Sequence, residues 1–229
     1  MKNETYIVAG SRPWNKSAVE KMQREFEGAV VSVSTPKELI QAINNTQNIR
    51  YVFFLHWSHI VSDTITNQYE CVCFHMTDVP FGRGGSPLQN LIIRGERKTK
   101  LTALRMVSEV DAGPVYMKRD LSLEGSSAEE VYMRADALSC KMAIDIISNE
   151  PNPEEQTGPI TTFKRRQPEE SRIPVEGSLL DIHDFIRMLD AEGYPHAYLE
   201  VGELRLEFSR SSLYHDKIQA EVTIKRILK

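Results

Sequence analysis

The sequence predicts an open, doubly wound α/β fold of Rossmann-like type: a mostly parallel sheet followed by a small C-terminal α+β or open-barrel subdomain. Three observations predict it. Short β-rich runs alternate with helically spaced apolar residues between positions 5 and 75. Two of those runs, YVFFL at 51–55 and CVCF at 71–74, are almost continuously apolar, as strands buried on both faces of a parallel sheet are. A chain of 229 residues that is 41% hydrophobic and 26% charged is also long enough to bury one sizeable core.

Taken in order, residues 5–9 (TYIVA) read as a strand, 17–26 as a helix, 29–33 (AVVSV) as a strand, and 36–43 as a helix opened by Pro36. Strands at 51–55 and 71–74 complete a β-α-β-α-β-α-β alternation, in which ligands bind beyond the carboxyl ends of the strands. Residues 101–106 and 115–121 read as two more strands joined by the turn-like Asp111-Ala-Gly-Pro114, and 126–147 as a long helix with Ser126, Glu129 and Glu130 at its start. Between 149 and 176 the composition shifts to Pro, Glu, Gln, Lys and Arg, which reads as a linker. A helical stripe at 178–190 and short strands at 196–201, 204–209 and 219–224 follow. The expected organisation is a main domain over 1–150, a linker over 151–176 and a small subdomain over 177–229.

The formal charge of −4 offers no general attraction to nucleic acid or to an anionic membrane. The basic cluster Lys164, Arg165 and Arg166 is followed at once by Glu169 and Glu170 and has no alternating aromatic platform, so it reads as a solvated strap rather than an RNA site. No stretch approaches the ~20 apolar residues that span a bilayer, and MKNETYIVAG has no signal-peptide core, so a cytoplasmic location is expected. Three cysteines, two of them at i and i+2 in a strand, suit neither a disulfide framework nor a zinc site, and no metal is expected.

The segment FHMTDVPFGRGGSPLQNLIIRG, 74–95, is the most informative. His75 follows a buried-looking strand, and Arg83, Gly84, Gly85, Ser86 and Pro87 form a tight loop leading into a helical run. A strand-end histidine with turn glycines is the alternative reading. Asp111, in a second turn, can return to the same crevice and orient an imidazole. The pattern H-x-T-x-x-P-x-x-R-G-x-x-P, then Gly95 and D-x-G, is supplied by His75, Thr77, Pro80, Arg83, Gly84, Pro87, Gly95, Asp111 and Gly113. Together these resemble the formyltransferase family that uses 10-formyltetrahydrofolate. TFKRRQPEES (162–171) resembles that family's connector and IHDFIRMLDAEGYPHAYLEVGELRLEF (182–208) its small C-terminal subdomain.

The resemblance implies transfer of a formyl group from 10-formyltetrahydrofolate to a primary amine, with His75 and Asp111 catalytic. Thr77, Arg83, Gly84, Gly85 and Ser86 are expected on the acceptor side. LHWSHI places His56, Trp57, Ser58, His59 and Ile60 where the family's loop meets the pterin, Asp111 also lying on the folate side. Trp57 serves there as a flat apolar wall, a packed indole being the other reading. One position departs from the pattern: the family carries Asn where this chain has Cys73, and a thiol is a weak donor, so either another group stabilises the oxyanion or catalysis is slow. Because the chain is short and acidic, a nucleotide-linked 4-amino-4,6-dideoxy sugar is expected as the acceptor, with no nucleic-acid partner. Methionyl-tRNA ranks second and a free amine third, and a non-catalytic folate- or nucleotide-sugar-binding protein is the reading from another class. The oligomeric state is not fixed by the sequence.

Overall fold

The alternation read from the sequence appears in the computed structural model as β1 (Thr5–Gly10), α1 (Asn15–Glu25), β2 (Val30–Val33), α2 (Pro36–Asn45), β3 (Ile49–Leu55), α3 (Asp63–Gln68) and β4 (Cys71–His75). The structure describes residues 4–26 and 29–227, so the first three residues of the N-terminal stretch considered above lie outside the described residues. Beyond β4 come β5 (Arg83–Gly84), α4 (Pro87–Ile92), β6 (Lys98–Arg105), β7 (Val115–Ser122), α5 (Ala128–Asn149), β8 (Thr162–Phe163), a 3-10 turn (Pro168–Ser171), α6 (Leu179–Arg187), β9 (Ala197–Val201), β10 (Leu204–Leu213) and β11 (Ile218–Arg226). Two compact units result, interleaved in sequence: Met1–Arg83, Lys100–Leu121 and Met133–Thr162 make the first, and Gly84–Thr99, Ser122–Tyr132 and Phe163–Lys229 the second.

The first unit is organised by a six-stranded sheet of order β2-β1-β3-β4-β6-β7. The pairs β1–β2, β1–β3 and β3–β4 are parallel, and β6 runs antiparallel to β4. Parallel pairing puts the carboxyl ends of β1, β3 and β4 at one edge, where the segments after Gly10, Leu55 and His75 emerge. Ile7, Ala9, Val52, Phe54 and Cys71 from the strands pack with Val33 and Leu39 into one buried cluster, with Trp57, Cys73 and Met106 against it. Helix α2 starts where its chemistry demands. Thr35 Oγ1 accepts from Glu38 N at 3.2 Å, Glu38 reaches back to Ser34 N at 2.7 Å, and Pro36 fills the first turn.

The second unit contains the antiparallel sheet β11-β10-β9, with α6 packed on β10. Within its apolar interior lies a buried charge cluster. Arg187 is almost completely buried; its Nε donates to Asp184 Oδ1 at 2.6 Å and its Nη1 to Leu123 O at 2.8 Å. Asp184 also accepts a two-pronged contact from Arg97 at 3.0 and 2.9 Å, so two cations share one buried carboxylate. Among the described residues, no helix is long and apolar enough to cross a membrane.

One buried carboxyl in the first unit couples its stability to pH. Asp136 on α5 is 5% exposed and accepts from Asn15 Nδ2, while Asn15 Oδ1 accepts from Arg12 N at 2.9 Å. Burial pushes Asp136 up from 3.8 to about 6, against the opposing pull of the Asn15 hydrogen bond. A carboxyl whose folded value exceeds its unfolded one stabilises the fold fully below the unfolded value, and that contribution is lost as pH rises through the folded value. Between about pH 4 and pH 6 this group therefore removes about 3 kcal/mol at most. Urea denaturation of Asp136→Asn, which keeps the acceptor, should show no such loss and a more stable protein at pH 7. Parallel pH dependence in both proteins would contradict this account.

Candidate active site

His75 ends β4, opposite Thr102 of β6, and is buried. Its two ring nitrogens face two acceptors. Nε2 lies 2.8 Å from Gly82 O, and Nδ1 lies 3.4 Å from Asp111 Oδ2. A carbonyl cannot donate and a carboxylate accepts, so the ring is held between two acceptors, with Nε2 donating to Gly82 O. Thr77, fully buried, donates to the same Gly82 O at 3.2 Å, and Thr77 O accepts from Thr102 Oγ1 at 2.7 Å. The bond between Val79 and Pro80, within the intervening loop, is cis.

Strand alternation puts Cys71, Cys73 and His75 on one face of β4. Apolar surroundings push the Cys73 thiol well above its ordinary value, and the Asp111 carboxylate pushes it in the same direction, so Cys73 is a neutral thiol. Asp111 reaches this face by an unusual path. Met106, just past β6, donates to Cys71 O, at the end of β4 away from His75. Residues 106–114 must therefore fold back along β4 for Asp111 to meet His75. Asp111 sits in the left-handed region, φ 54°, which Asp tolerates better than most residues. Gly113 has no alternative at all, since a Cβ there would lie 1.9 Å from Arg105 O.

Arg83, also buried, points its guanidinium at this turn. Nε and Nη2 donate to Gln156 Oε1 at 3.1 and 2.9 Å, and Nη1 meets Glu109 at 3.3 Å. Gln156 Nε2 in turn donates to Asp111 O and Gly113 O, both at 2.8 Å. Gln156 lies in the stretch read as a linker, and no spacing signal marked it. Its neighbours are held as well: Glu154 pairs with Val115, and Thr161 N donates to Pro80 O.

The loop after β3 carries the residues expected at the pterin. His56 has φ 51° and its carbonyl accepts from Ser11 Oγ at 3.3 Å. Burial, helped by the Arg12 charge, pushes His56 down to about 3, so its ring is neutral. Trp14 meets that ring edge-on at 5.5 Å. Trp57 packs edge-on against Phe54 and His59, and its Nε1 is buried with no hydrogen-bond partner among the described residues. Ser58 and His59 are exposed, and Ile60 is 98% exposed. An apolar wall with a spare N–H donor and an uncovered aliphatic side chain fits a flat heteroaromatic ring. Among the described residues, no three His, Cys, Asp or Glu side chains gather as a metal-binding group.

Gly84, Gly85 and Ser86 belong to the second unit, where their own chain covers them. A Cβ at Gly84 would lie 2.5 Å from Phe163 O, and one at Gly85 2.5 Å from Arg165 Cβ. Gly85 N donates to Phe163 O, Ser86 Oγ accepts from Arg166 N, and Asn90 Nδ2 donates to Lys164 O. The glycines are thus explained by close approach of the 163–166 segment. Of the basic cluster, Lys164 and Arg165 are exposed, while Arg166 lies over the Phe185 ring.

Comparison with known proteins identifies the lineage. Residues 168–225 match the family model described as methionyl-tRNA formyltransferase, C-terminal domain. A solved methionyl-tRNA formyltransferase from Clostridium thermocellum is 42% identical, with a TM-score of 0.92 over 97% of this chain and 99% of that one. The methionyl-tRNA formyltransferase of Rickettsia massiliae is 28% identical over 194 residues, 82% of this chain and 64% of that protein. This chain thus spans somewhat under two thirds of that curated relative. A likely sugar N-formyltransferase from Mycobacterium tuberculosis shares the fold, with a TM-score of 0.69 over 87% of this chain and 93% of that one, at 15% identity. These findings overturn the expected amino-sugar acceptor and the exclusion of a nucleic-acid partner. The first argument failed because a methionyl-tRNA formyltransferase of nearly this length exists, and the second because net charge averages over a surface of which an acceptor meets one face. The chain belongs to the 10-formyltetrahydrofolate-dependent formyltransferase family.

Proposed function

We propose that this protein transfers a formyl group from 10-formyltetrahydrofolate to the α-amine of methionyl-tRNA. The observation that carries the reading is the His75–Asp111 pair, 3.4 Å apart, in a chain so similar to a named methionyl-tRNA formyltransferase. The co-substrate supplies an activated formyl carbon. His56, Trp57, Ser58, His59 and Ile60, with Asp111 nearby, hold its ring system. His75 acts through its Nε2 proton, releasing Gly82 O to donate to the formyl oxygen as negative charge develops there, while the attacking nitrogen's proton goes to the folate N10 as the bond from the formyl carbon to N10 breaks. Asp111 holds the ring through Nδ1, 3.4 Å from its Oδ2. Cys73 stands where the family's amide stands and offers only a weak S–H donor, a loss worth about 3 kcal/mol if nothing replaces it.

Thr77, Arg83, Gly84, Gly85 and Ser86 serve the acceptor side by shaping its backbone: Thr77 fixes Gly82 O, and Arg83 fixes the turn carrying Asp111. The exposed Lys164 and Arg165 give the acceptor's phosphates a local partner on an otherwise acidic protein. The three unpaired thiols suit a reducing compartment, which supports a cytoplasmic location.

Single-turnover assays should find formyl transfer reduced at least ~100-fold in both His75→Ala and Asp111→Asn, with unchanged thermal melting. Near-normal rates in both would remove these residues from catalysis. Cys73→Asn should match or exceed the parent rate; loss of activity in a folded protein would mean that the pocket is built around the smaller side chain. The acceptor is tested by salt. Formylation of methionyl-tRNA should fall steeply between low and physiological ionic strength, because each neutralised phosphate releases counterions. Inert methionyl-tRNA beside a reactive small amine would overturn the proposed acceptor.

A further inference from the structure

Both contacts of the His75 ring depend on backbone that one side chain ties together. Gly82, whose carbonyl faces Nε2, immediately precedes Arg83, and Asp111, whose carboxylate faces Nδ1, lies in the turn that folds back along β4. Gln156 bonds to the side chain of Arg83, next to Gly82, and to the turn carrying Asp111. Its Oε1 takes two guanidinium donors from Arg83, and its Nε2 spends both hydrogens on Asp111 O and Gly113 O, the carbonyls flanking Ala112. This uses the whole hydrogen-bonding capacity of a primary amide, and the partners fix its orientation, since a guanidinium only donates and a carbonyl only accepts. The competing tether, Arg83 to Glu109, is weak because the Glu109 side chain is 74% exposed.

We propose that Gln156 is a positioning residue for the catalytic pair, holding Gly82 and Asp111 at the two ends of the His75 imidazole. The kinetic part of this inference rests on the formyltransferase reading. No other side chain of similar size does the same job. Glutamate keeps the acceptor for Arg83 but presents oxygen to two carbonyls, and Ala removes both links. Gln156→Glu thus retains the Arg83 contact while releasing Asp111, and it carries the test if Gln156→Ala fails to fold.

Transfer from 10-formyltetrahydrofolate to methionyl-tRNA is measured for the full chain as wild type, Gln156→Ala, Gln156→Glu, Asp111→Asn and the double variant Gln156→Ala/Asp111→Asn. The His75 Cε1–H resonance of each is titrated by NMR in parallel. Because every protein keeps Cys73, Arg83 and Glu109, differences report on the pair. Each Gln156 variant should lower kcat roughly 10- to 100-fold with KM for the folate within about 2-fold, and the double variant should lose less than about 2-fold beyond Asp111→Asn, as expected of residues acting through one another. In both Gln156 variants the His75 titration should move toward that of Asp111→Asn. Losses that multiply in full, or a His75 titration identical to wild type, would overturn the proposal. If wild-type protein formylates no amine, the proposed function falls, and the NMR comparison alone decides whether Gln156 holds the pair.

Discussion

The chain segment 106–114 is held in a place its strand does not send it, and the candidate site depends on that constraint. β6 leaves the sheet at the Cys71 end of β4, one strand length from His75, so a relaxed hairpin would carry Asp111 away from the imidazole. Three features turn it back: Gly113 slipping under Arg105 O where no side chain fits, the left-handed conformation of Asp111, and the two carbonyl contacts to Gln156. A charge brought in this way is costly to hold and well defined once held, which suits a group whose task is to orient another.

Around this pair the ionisable groups are kept neutral. Burial holds His56 uncharged at ordinary pH and keeps the Cys73 thiol protonated, beside the His75–Asp111 pair and the Arg83–Glu109 contact. A neutral imidazole and an indole with an unused N–H make a surface for a flat polar ring, whereas an imidazole clamped between two acceptors is poised to donate. The two halves of the proposed chemistry, holding a folate and handling a proton, thus fall to adjacent loops with opposite electrostatic character.

Much of this was legible in the sequence because it is periodic or sterically singular. The buried runs around Phe53 and Val72 announced parallel strands, and Pro36 announced a helix start. Asp111 and Gly113 stood out as a D-x-G turn. The acceptor was misjudged because a net charge averages over the whole surface and says nothing of the one face an acceptor meets. Gln156 was invisible for a different reason. It works from an irregular, Pro- and Glu-rich stretch by side chain to backbone contacts, which leave no spacing to read, and the same composition that suggested a linker conceals a segment hydrogen-bonded at Glu154, Gln156 and Thr161. Arg187, buried in the second unit, was hidden as an arginine at the end of an ordinary amphipathic helix.

A crystal structure of the protein with 5-formyltetrahydrofolate, a formyl-bearing folate that does not react, tests the central claim most directly. The account predicts the pteridine against Trp57 and Ile60, the formyl oxygen within hydrogen-bonding distance of His75 Nε2, and the Nε2 contact to Gly82 O released while Asp111 stays on Nδ1. A folate bound away from the 56–60 loop, or one that leaves His75 on Gly82 O with the formyl group out of reach, would contradict it.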